Sequence, residues 1–167
     1  MNKNIVLCGF MGSGKTVTGK ALAKKLGMEF IDLDIFIEQS QNMSVKDIFA
    51  SFGEPYFRTL ENKAATELGK SENKVIACGG GTVLNPENVA ALKVNGEIFY
   101  LSVEAQTVKN RLKNDLSRPL LAKDKENAID TLLKNRRPIY EGAADRIIDS
   151  NGSIDYAVEQ ILKIIKE

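Results

Sequence analysis

Short apolar runs alternate along the chain with longer segments in which apolar residues recur at helical spacing. The runs at 4–8, 29–33, 74–78, 97–102 and 146–149 are rich in Val, Ile and Phe, which is typical of β-strands. This alternation predicts a three-layer α/β/α fold, in which helices cover both faces of a five-stranded, mostly parallel sheet with right-handed crossovers. Ligands of such a sheet bind at the carboxyl ends of its strands.

Local signals mark several helix boundaries. Segment 12–26 carries apolar residues at helical spacing and precedes Gly27, which predicts a helix that ends there. Ser44 and Asp47 resemble a capping box, and Pro55 suits the first turn of a helix. Each of these residues predicts the start of a helix.

The stretch 114–125 interrupts an otherwise helical region. It shows little periodicity and contains Ser117-Arg118-Pro119, so we interpret it as a mobile lid. No repeat, low-complexity tract or linker divides the 167 residues, a length that suits one domain. We therefore predict a single domain, residues 1–167, with a lid at about 114–125.

Composition narrows the classes of function. A net charge of +1 gives the whole molecule little attraction to nucleic acid or to anionic membranes. No apolar run approaches the roughly 20 residues that span a bilayer, and no secretion signal precedes the first strand, so we predict a cytoplasmic protein. The chain has no histidine, and Cys8 and Cys78 lack metal-ligand spacing, which argues against zinc sites and histidine acid–base chemistry.

A phosphate-binding motif follows the first predicted strand. Residues 9–16, GFMGSGKT, satisfy G-x-x-x-x-G-K-[ST] between a strand and a helix, the context in which the motif has meaning. The glycines let backbone N–H groups face a phosphate, and the helix N-terminus adds partial positive charge. The lysine then reaches the β- and γ-phosphates, and the threonine hydroxyl binds Mg²⁺. We predict a nucleotide site formed by Gly12, Ser13, Gly14, Lys15, Thr16 and Val17.

Other classes of protein share this loop, so the rest of the chain must separate kinases from GTPases and motor ATPases. No Asn-Lys-x-Asp segment is present to recognise guanine.

Asp32 and Asp34 end the second predicted strand and share one face if the extended geometry continues. One carboxylate would orient magnesium-bound water while the other accepts a hydrogen bond from an acceptor hydroxyl. A strand-end turn or helix cap is the alternative.

Two further segments predict parts of an acceptor pocket. Gly79, Gly80 and Gly81 follow the third strand, where backbone N–H groups would approach a substrate unless the glycines form only a flexible turn. Arg58 and Glu61 are spaced for a helix-surface ion pair. Alternatively, Glu61 orients the guanidinium so that it binds a substrate carboxylate at two points.

Several motifs together resemble the shikimate kinase family in order and spacing, over nearly the whole chain. They are the phosphate loop, Asp32-Leu33-Asp34, Gly53-Glu54-Pro55-Tyr56-Phe57-Arg58, Gly79-Gly80-Gly81, Arg118-Pro119-Leu120-Leu121 and Arg136-Arg137-Pro138-Ile139-Tyr140. The resemblance implies a P-loop kinase fold and transfer of the γ-phosphoryl group of MgATP to the 3-hydroxyl of shikimate, in aromatic amino-acid biosynthesis. ATP and shikimate would be the partners of a monomeric enzyme.

The resemblance also implies residue roles. Lys15, Asp34 and Arg118 would be catalytic, with Asp34 as base and Arg118 closing over the phosphates from the lid. Arg111 would stack on adenine, and Thr16 would bind Mg²⁺ together with Asp32, the latter through water. The shikimate site would comprise Asp34, Phe49, Phe57, Arg58, Gly79, Gly80, Gly81 and Arg136.

Two departures from the family pattern stand out. Cys78 precedes the triple glycine where the family often has a small hydroxyl residue, and residues 149–153 contain no arginine for the usual adenine contact, which stays unassigned. Two other interpretations remain open: a small kinase of gluconate or a nucleoside monophosphate, and a nucleotide-binding regulatory module without turnover.

Overall fold

The structure is a computed structural model that describes residues 3–113 and 125–167. Its strands are β1 Asn4–Cys8, β2 Glu29–Asp32, β3 Lys74–Ala77, β4 Gly96–Ser102 and β5 Arg146–Asp149. They form one parallel sheet in the order β2-β3-β1-β4-β5. The connection after β1 runs to one side, toward β2, whereas the connection after β3 crosses β1 to reach β4 on the other side. The loops after β1 and β3 therefore flank the crevice where such sheets bind ligands.

The helices of the described residues lie between these strands. They are α1 Lys15–Leu26, α2 Leu33–Gln41, α3 Val45–Phe52, α4 Glu54–Lys70, α5 Pro86–Lys93, α6 Ala105–Arg111, α7 Lys125–Ala143 and α8 Ile154–Ile165, with a short 3₁₀ helix at Thr82–Leu84. None of them is both long and apolar enough to cross a membrane.

The central strand β1 is buried on both faces. Val6 and Cys8 pack into one apolar cluster with residues of α2, α3, α4 and α7. Ile5 and Leu7 point the other way and pack with residues of α1 and α8. Successive side chains of a strand alternate between faces, so a continuous apolar run supplies both cores. The predicted α/β/α architecture with a parallel five-stranded sheet is confirmed.

Two helix starts differ from the sequence-based predictions. Helix α1 begins at Lys15 rather than Gly12, because Gly12 and Gly14 adopt φ angles of 77° and 89°, which are left-handed and open to glycine. Strand β2 stops at Asp32, whose carboxylate accepts a hydrogen bond of 3.1 Å from the N–H of Ile35 and caps α2. Asp34 therefore lies in the first helical turn, so the extended geometry does not continue past Asp32, and the helix cap given as the alternative is the arrangement found.

Other predicted boundaries agree with the structure. Ser44 caps α3 by accepting a 3.1 Å hydrogen bond from the N–H of Asp47, and Pro55 lies in the first turn of α4. Gly27 ends α1 with a φ of 65°. The predicted lid lies outside the described residues, apart from residue 125 at the start of α7.

Candidate active site

A cavity of about 440 Å³ opens at the carboxyl ends of β1, β2 and β3. Its wall combines the phosphate loop with the acidic, basic and glycine residues predicted for an acceptor. The lining residues are Met11, Gly12, Gly14, Lys15, Thr16, Val17, Asp32, Asp34, Val45, Phe49, Phe57, Arg58, Glu61, Cys78, Gly79, Gly80, Gly81 and Arg136.

The N-terminus of α1 is built for an anion. No side chain caps it, and no acidic residue lies in its first turn, so its first N–H groups face the loop without a carboxylate competitor. Lys15 folds back over the loop, where its Nζ donates to the carbonyl oxygens of Gly9 and Phe10 at 2.7 and 3.1 Å. The loop thus concentrates positive charge beside the cavity.

Thr16 and Asp32 bring two oxygen ligands together beside that loop. The Thr16 hydroxyl donates to Oδ2 of Asp32 at 3.2 Å, while Oδ1 caps α2. Mg²⁺ prefers oxygen ligands and is usually held by a few protein groups, water and substrate phosphates. The described residues contain no cluster of three acidic, cysteine or histidine ligands. The pair therefore fits a magnesium ion that the nucleotide brings with it.

Asp34 is a partly buried carboxylate with a perturbed pKa. Burial raises its pKa from 3.8 to about 6, the charges of Asp32 and Glu61 act in the same direction, and Lys15 opposes them. A raised carboxylate pKa in a cleft is typical of functional sites. Its pKa and its place in the cavity make Asp34 a candidate for proton exchange with a bound group.

We expect the pKa of Asp34 to make ligand-free stability depend on pH. The folded-state pKa of about 6 exceeds the unfolded value near 3.8, so the favourable contribution present below pH 3.8 is lost as pH rises through 6. Without nucleotide and in EDTA, Asp34→Asn should then exceed the wild type at pH 8 by on the order of 2 kcal/mol of unfolding free energy. The difference should vanish near pH 4.

Urea unfolding at several pH values measures this difference. Asp47→Asn is the matched control. Asp47 lies in the first turn of α3, just as Asp34 lies in the first turn of α2, but its carboxylate is exposed. A pH-independent difference for Asp34→Asn, or an equal pH dependence for both variants, would contradict the expectation.

A buried carboxylate holds Arg58 against the cavity. Glu61 is 1% exposed; its Oε1 pairs with the Arg58 guanidinium at 3.0 Å, and its Oε2 accepts a 3.0 Å hydrogen bond from the Thr82 hydroxyl. Glu54 adds an ion pair at 3.2 Å from the solvent side. The ion pair and the orienting role expected for Glu61 are thus compatible, because the pair fixes a guanidinium on the cavity wall.

Each glycine of the triple-glycine loop lies against a different charged side chain. A Cβ atom at Gly79 would come within 2.8 Å of the Asp34 carboxylate, and one at Gly81 within 2.8 Å of the Arg58 guanidinium. At Gly80 it would lie 3.6 Å from Nη1 of Arg136. The missing side chains therefore allow all three charged groups to approach one stretch of backbone.

Aromatic rings form the apolar side of the same cavity. Phe49 and Phe57 pack with their ring centroids 4.8 Å apart. The Arg58 guanidinium lies over the Phe57 ring, 5.4 Å from its centroid. The cavity thus offers a small apolar surface beside two guanidinium groups and a carboxylate. This combination suits an organic anion with a carbon ring or chain.

Two predicted nucleotide residues lie outside the cavity lining. Ser13 is buried under the loop, where its N–H donates to the Phe10 carbonyl at 3.1 Å. Arg111 donates to the carbonyl oxygens of Gly12, Ser150 and Gly152 at 2.9, 2.7 and 3.2 Å. It therefore joins the phosphate loop to the segment after β5. Arg118 falls outside the described residues.

The cysteines and several further residues complete the surroundings. Cys8 and Cys78 are buried free thiols, as expected of small apolar residues. Met11 and Val45 line the cavity without a sequence signal that separates them from other core residues. The Ser150 hydroxyl donates to the Ser13 carbonyl at 2.6 Å across 137 residues of sequence, a contact that no local pattern indicates.

Comparison with known proteins agrees with this geometry. Residues 11–166 match the shikimate kinase family. A shikimate kinase from a Sulfurihydrogenibium species is 44% identical over 98% of each chain, and one from Pelotomaculum thermopropionicum is 45% identical over 99% of this chain and 96% of its own. A solved structure titled as a shikimate kinase from Acinetobacter baumannii in complex with shikimate superimposes with a TM-score of 0.91. It is 36% identical and covers 98% of this chain and 93% of that one.

The family match spans the phosphate loop from residue 11, the acceptor cavity and the last helix, and the relatives match over nearly their full length. Fold, motif order and similarity therefore agree, and the chain belongs to the shikimate kinase family.

Proposed function

We propose that this chain transfers the γ-phosphoryl group of ATP to the 3-hydroxyl of shikimate, giving shikimate 3-phosphate and ADP. One observation supports the proposal above all others: Asp34, Arg58 and Arg136 line the same cavity as Lys15 of the phosphate loop. A nucleotide phosphate and an anionic hydroxyl compound would meet there. Membership of the shikimate kinase family supports the identity of the acceptor.

On the nucleotide side, the N–H groups at the start of α1 and the Lys15 ammonium bind the β- and γ-phosphates. Thr16, with Asp32 through water, would hold Mg²⁺, which would neutralise phosphate charge when bound. Arg118, which lies outside the described residues, would neutralise phosphate charge during transfer, as the resemblance implies. Arg111 stacks on adenine while its guanidinium keeps the bonds to the segment after β5.

On the acceptor side, Arg58 and Arg136 bind the shikimate carboxylate with charge-assisted hydrogen bonds. The ring packs on Phe49 and Phe57, and the backbone of Gly79, Gly80 and Gly81 completes the pocket. This leaves the reacting hydroxyl beside Asp34, which accepts its proton as the oxygen attacks the γ-phosphorus and the bond from that phosphorus to the bridging oxygen breaks, releasing ADP. The raised pKa of Asp34 supports that role.

One assay separates this proposal from its rivals. ADP release is measured in a coupled assay with shikimate, gluconate, AMP or no acceptor. We expect release only with shikimate, since the two guanidinium groups suit a carboxylate, which AMP lacks, and the rings of Phe49 and Phe57 suit a cyclic carbon frame, which gluconate lacks. Release of ADP with gluconate or AMP would favour another metabolite kinase. If no ADP were released with any of the acceptors, a nucleotide-binding module without turnover would be favoured.

Arg136→Met should weaken shikimate binding selectively. A desolvated, charge-assisted pair contributes roughly 2 to 4 kcal/mol, so we expect KM for shikimate to rise by roughly 30-fold or more with KM for ATP nearly unchanged. Steady-state kinetics with each substrate varied in turn measures both values.

The adjacent Arg137 is a natural control for this variant. Its guanidinium donates to the Val103 carbonyl at 3.2 Å and faces Glu104 at 3.6 Å, away from the cavity. We expect Arg137→Met to leave KM for shikimate within about twofold. Equal effects of the two variants would remove Arg136 from the acceptor site.

The remaining proposals concern the whole protein. We propose that residues 1–167 form one domain with a lid at 114–125, acting as a cytoplasmic monomer on ATP and shikimate and not on nucleic acid. The near-neutral net charge of +1 supports the last point. Light scattering of the purified chain tests whether it is a monomer. A salt-dependent shift in the electrophoretic mobility of duplex DNA would contradict the absence of nucleic-acid binding.

A further inference from the structure

The buried phenol of Tyr140 contacts the triple-glycine loop directly. Tyr140 lies on α7 with no exposed surface, and its hydroxyl donates a 2.6 Å hydrogen bond to the carbonyl oxygen of Gly80. Its ring stacks on that of Tyr100 in β4, with centroids 5.3 Å apart and an interplanar angle of 24°. Tight packing holds the ring, so the hydroxyl is a fixed donor to the loop.

Arg136 lies one helical turn before Tyr140 on α7, on the same helix face. Burial raises the pKa of Tyr140 to about 12, and the Arg136 guanidinium opposes this shift through its charge and hydrogen bonding. The phenol therefore keeps its proton at ordinary pH and donates to Gly80. One helix thus supports both the guanidinium at the cavity wall and the backbone of the glycine loop.

The Gly80 carbonyl belongs to the same peptide unit as the Gly81 N–H. A trans peptide is planar and directs these two groups to opposite sides, and the described residues contain no cis peptide bond. A hydrogen bond that fixes the carbonyl toward Tyr140 therefore turns the N–H away from Tyr140. Gly81 lines the cavity beside Arg58, so this N–H is available to an oxygen of a bound acceptor.

We propose that Tyr140 is a positioning residue for the acceptor. It orients the Gly80–Gly81 peptide so that the Gly81 N–H donates to bound shikimate, and it is not itself part of the cavity lining. Glycine has no side chain to limit its backbone, so the peptide depends on hydrogen bonds of this kind for its orientation. The inference rests on the proposed function, because it takes shikimate as the acceptor.

Tyr140→Phe tests the inference because it removes the hydroxyl and keeps the ring. We expect KM for shikimate to rise about five- to tenfold, the effect of one neutral hydrogen bond, with kcat and KM for ATP nearly unchanged and Tm lowered by only about 2 to 4 °C. Tyr100→Phe is the matched control, since it removes the hydroxyl of the stacked ring and leaves the Tyr140–Gly80 bond intact. We expect it to alter neither KM.

A second measurement separates this inference from the proposed function, because it needs no turnover. In the ligand-free protein, the ¹⁵N order parameter of the Gly81 amide should fall in Tyr140→Phe from about 0.85, typical of rigid backbone, toward about 0.6, and stay high in Tyr100→Phe. An unchanged order parameter and an unchanged KM for shikimate would overturn the positioning role. Equal rises in KM for shikimate and KM for ATP, accompanied by a larger fall in Tm, would overturn it as well. A wild type inactive on shikimate would instead refute the proposed function.

Discussion

Asp34→Asn should lower kcat with shikimate about 10³-fold while ATP affinity stays within about twofold, because a positioned general base contributes roughly 10² to 10⁴ in rate. Asp34 lies in the first turn of α2 and lines the cavity with Arg58 and Arg136. Asn is isosteric but cannot accept the proton of the reacting hydroxyl at neutral pH. Single-turnover rates and nucleotide titration measure the two effects separately.

Asp47→Asn is the control for this variant, as for the pH dependence of stability. It replaces a first-turn carboxylate on α3 that the cavity does not include, and we expect wild-type kinetics. Turnover of Asp34→Asn within about threefold of wild type would refute the base role. A parallel loss of ATP binding would show that Asp34 supports the phosphate loop rather than the acceptor.

Lys15→Met should weaken nucleotide binding and slow phosphoryl transfer together. Lys15 is the motif lysine at the start of α1. Its Nζ donates hydrogen bonds to the loop carbonyl oxygens of Gly9 and Phe10, a position within reach of a bound phosphate. Loss of one preorganised charge at a transferring phosphoryl group costs roughly 10² to 10³ in rate. We expect that loss in a single turnover and an ATP Kd raised at least about tenfold.

Lys24→Met is the matched control, because Lys24 is an exposed lysine in the last turn of the same helix. We expect it to leave nucleotide affinity and turnover unchanged. Calorimetric titration with a non-hydrolysable ATP analogue, together with a rapid-quench single turnover, covers both quantities. If Lys15→Met changed neither, the loop would not be the phosphate site.

The architecture could be predicted because the sheet is parallel and its central strand is buried on both faces. Such strands are continuous apolar runs, and the predicted run at 4–8 coincides with β1. The glycine loop after β1 was equally visible, since its motif is local. The start of α2 was not, because whether Asp32 continues a strand or caps a helix depends on one hydrogen bond to Ile35.

The acceptor cavity was predictable only in part, because its wall depends on contacts between distant residues. Arg136 came from motif resemblance, which also favoured the binding role of Arg58 over a surface ion pair, and their shared cavity requires the folded chain. Tyr140 belongs to the same motif as Arg136, yet its bond to Gly80 spans 60 residues and has no periodic pattern. The buried partner Thr82 of Glu61 is likewise visible only after packing.

Identification of the reaction product shows whether this cavity transfers phosphate to the 3-hydroxyl of shikimate. The wild-type protein is incubated with MgATP and shikimate, and the product is examined by ³¹P and ¹H NMR. We predict one phosphomonoester at the 3-position, formed in equal amount with ADP. ADP release without a shikimate phosphate, or a phosphate on another hydroxyl, would contradict this transfer.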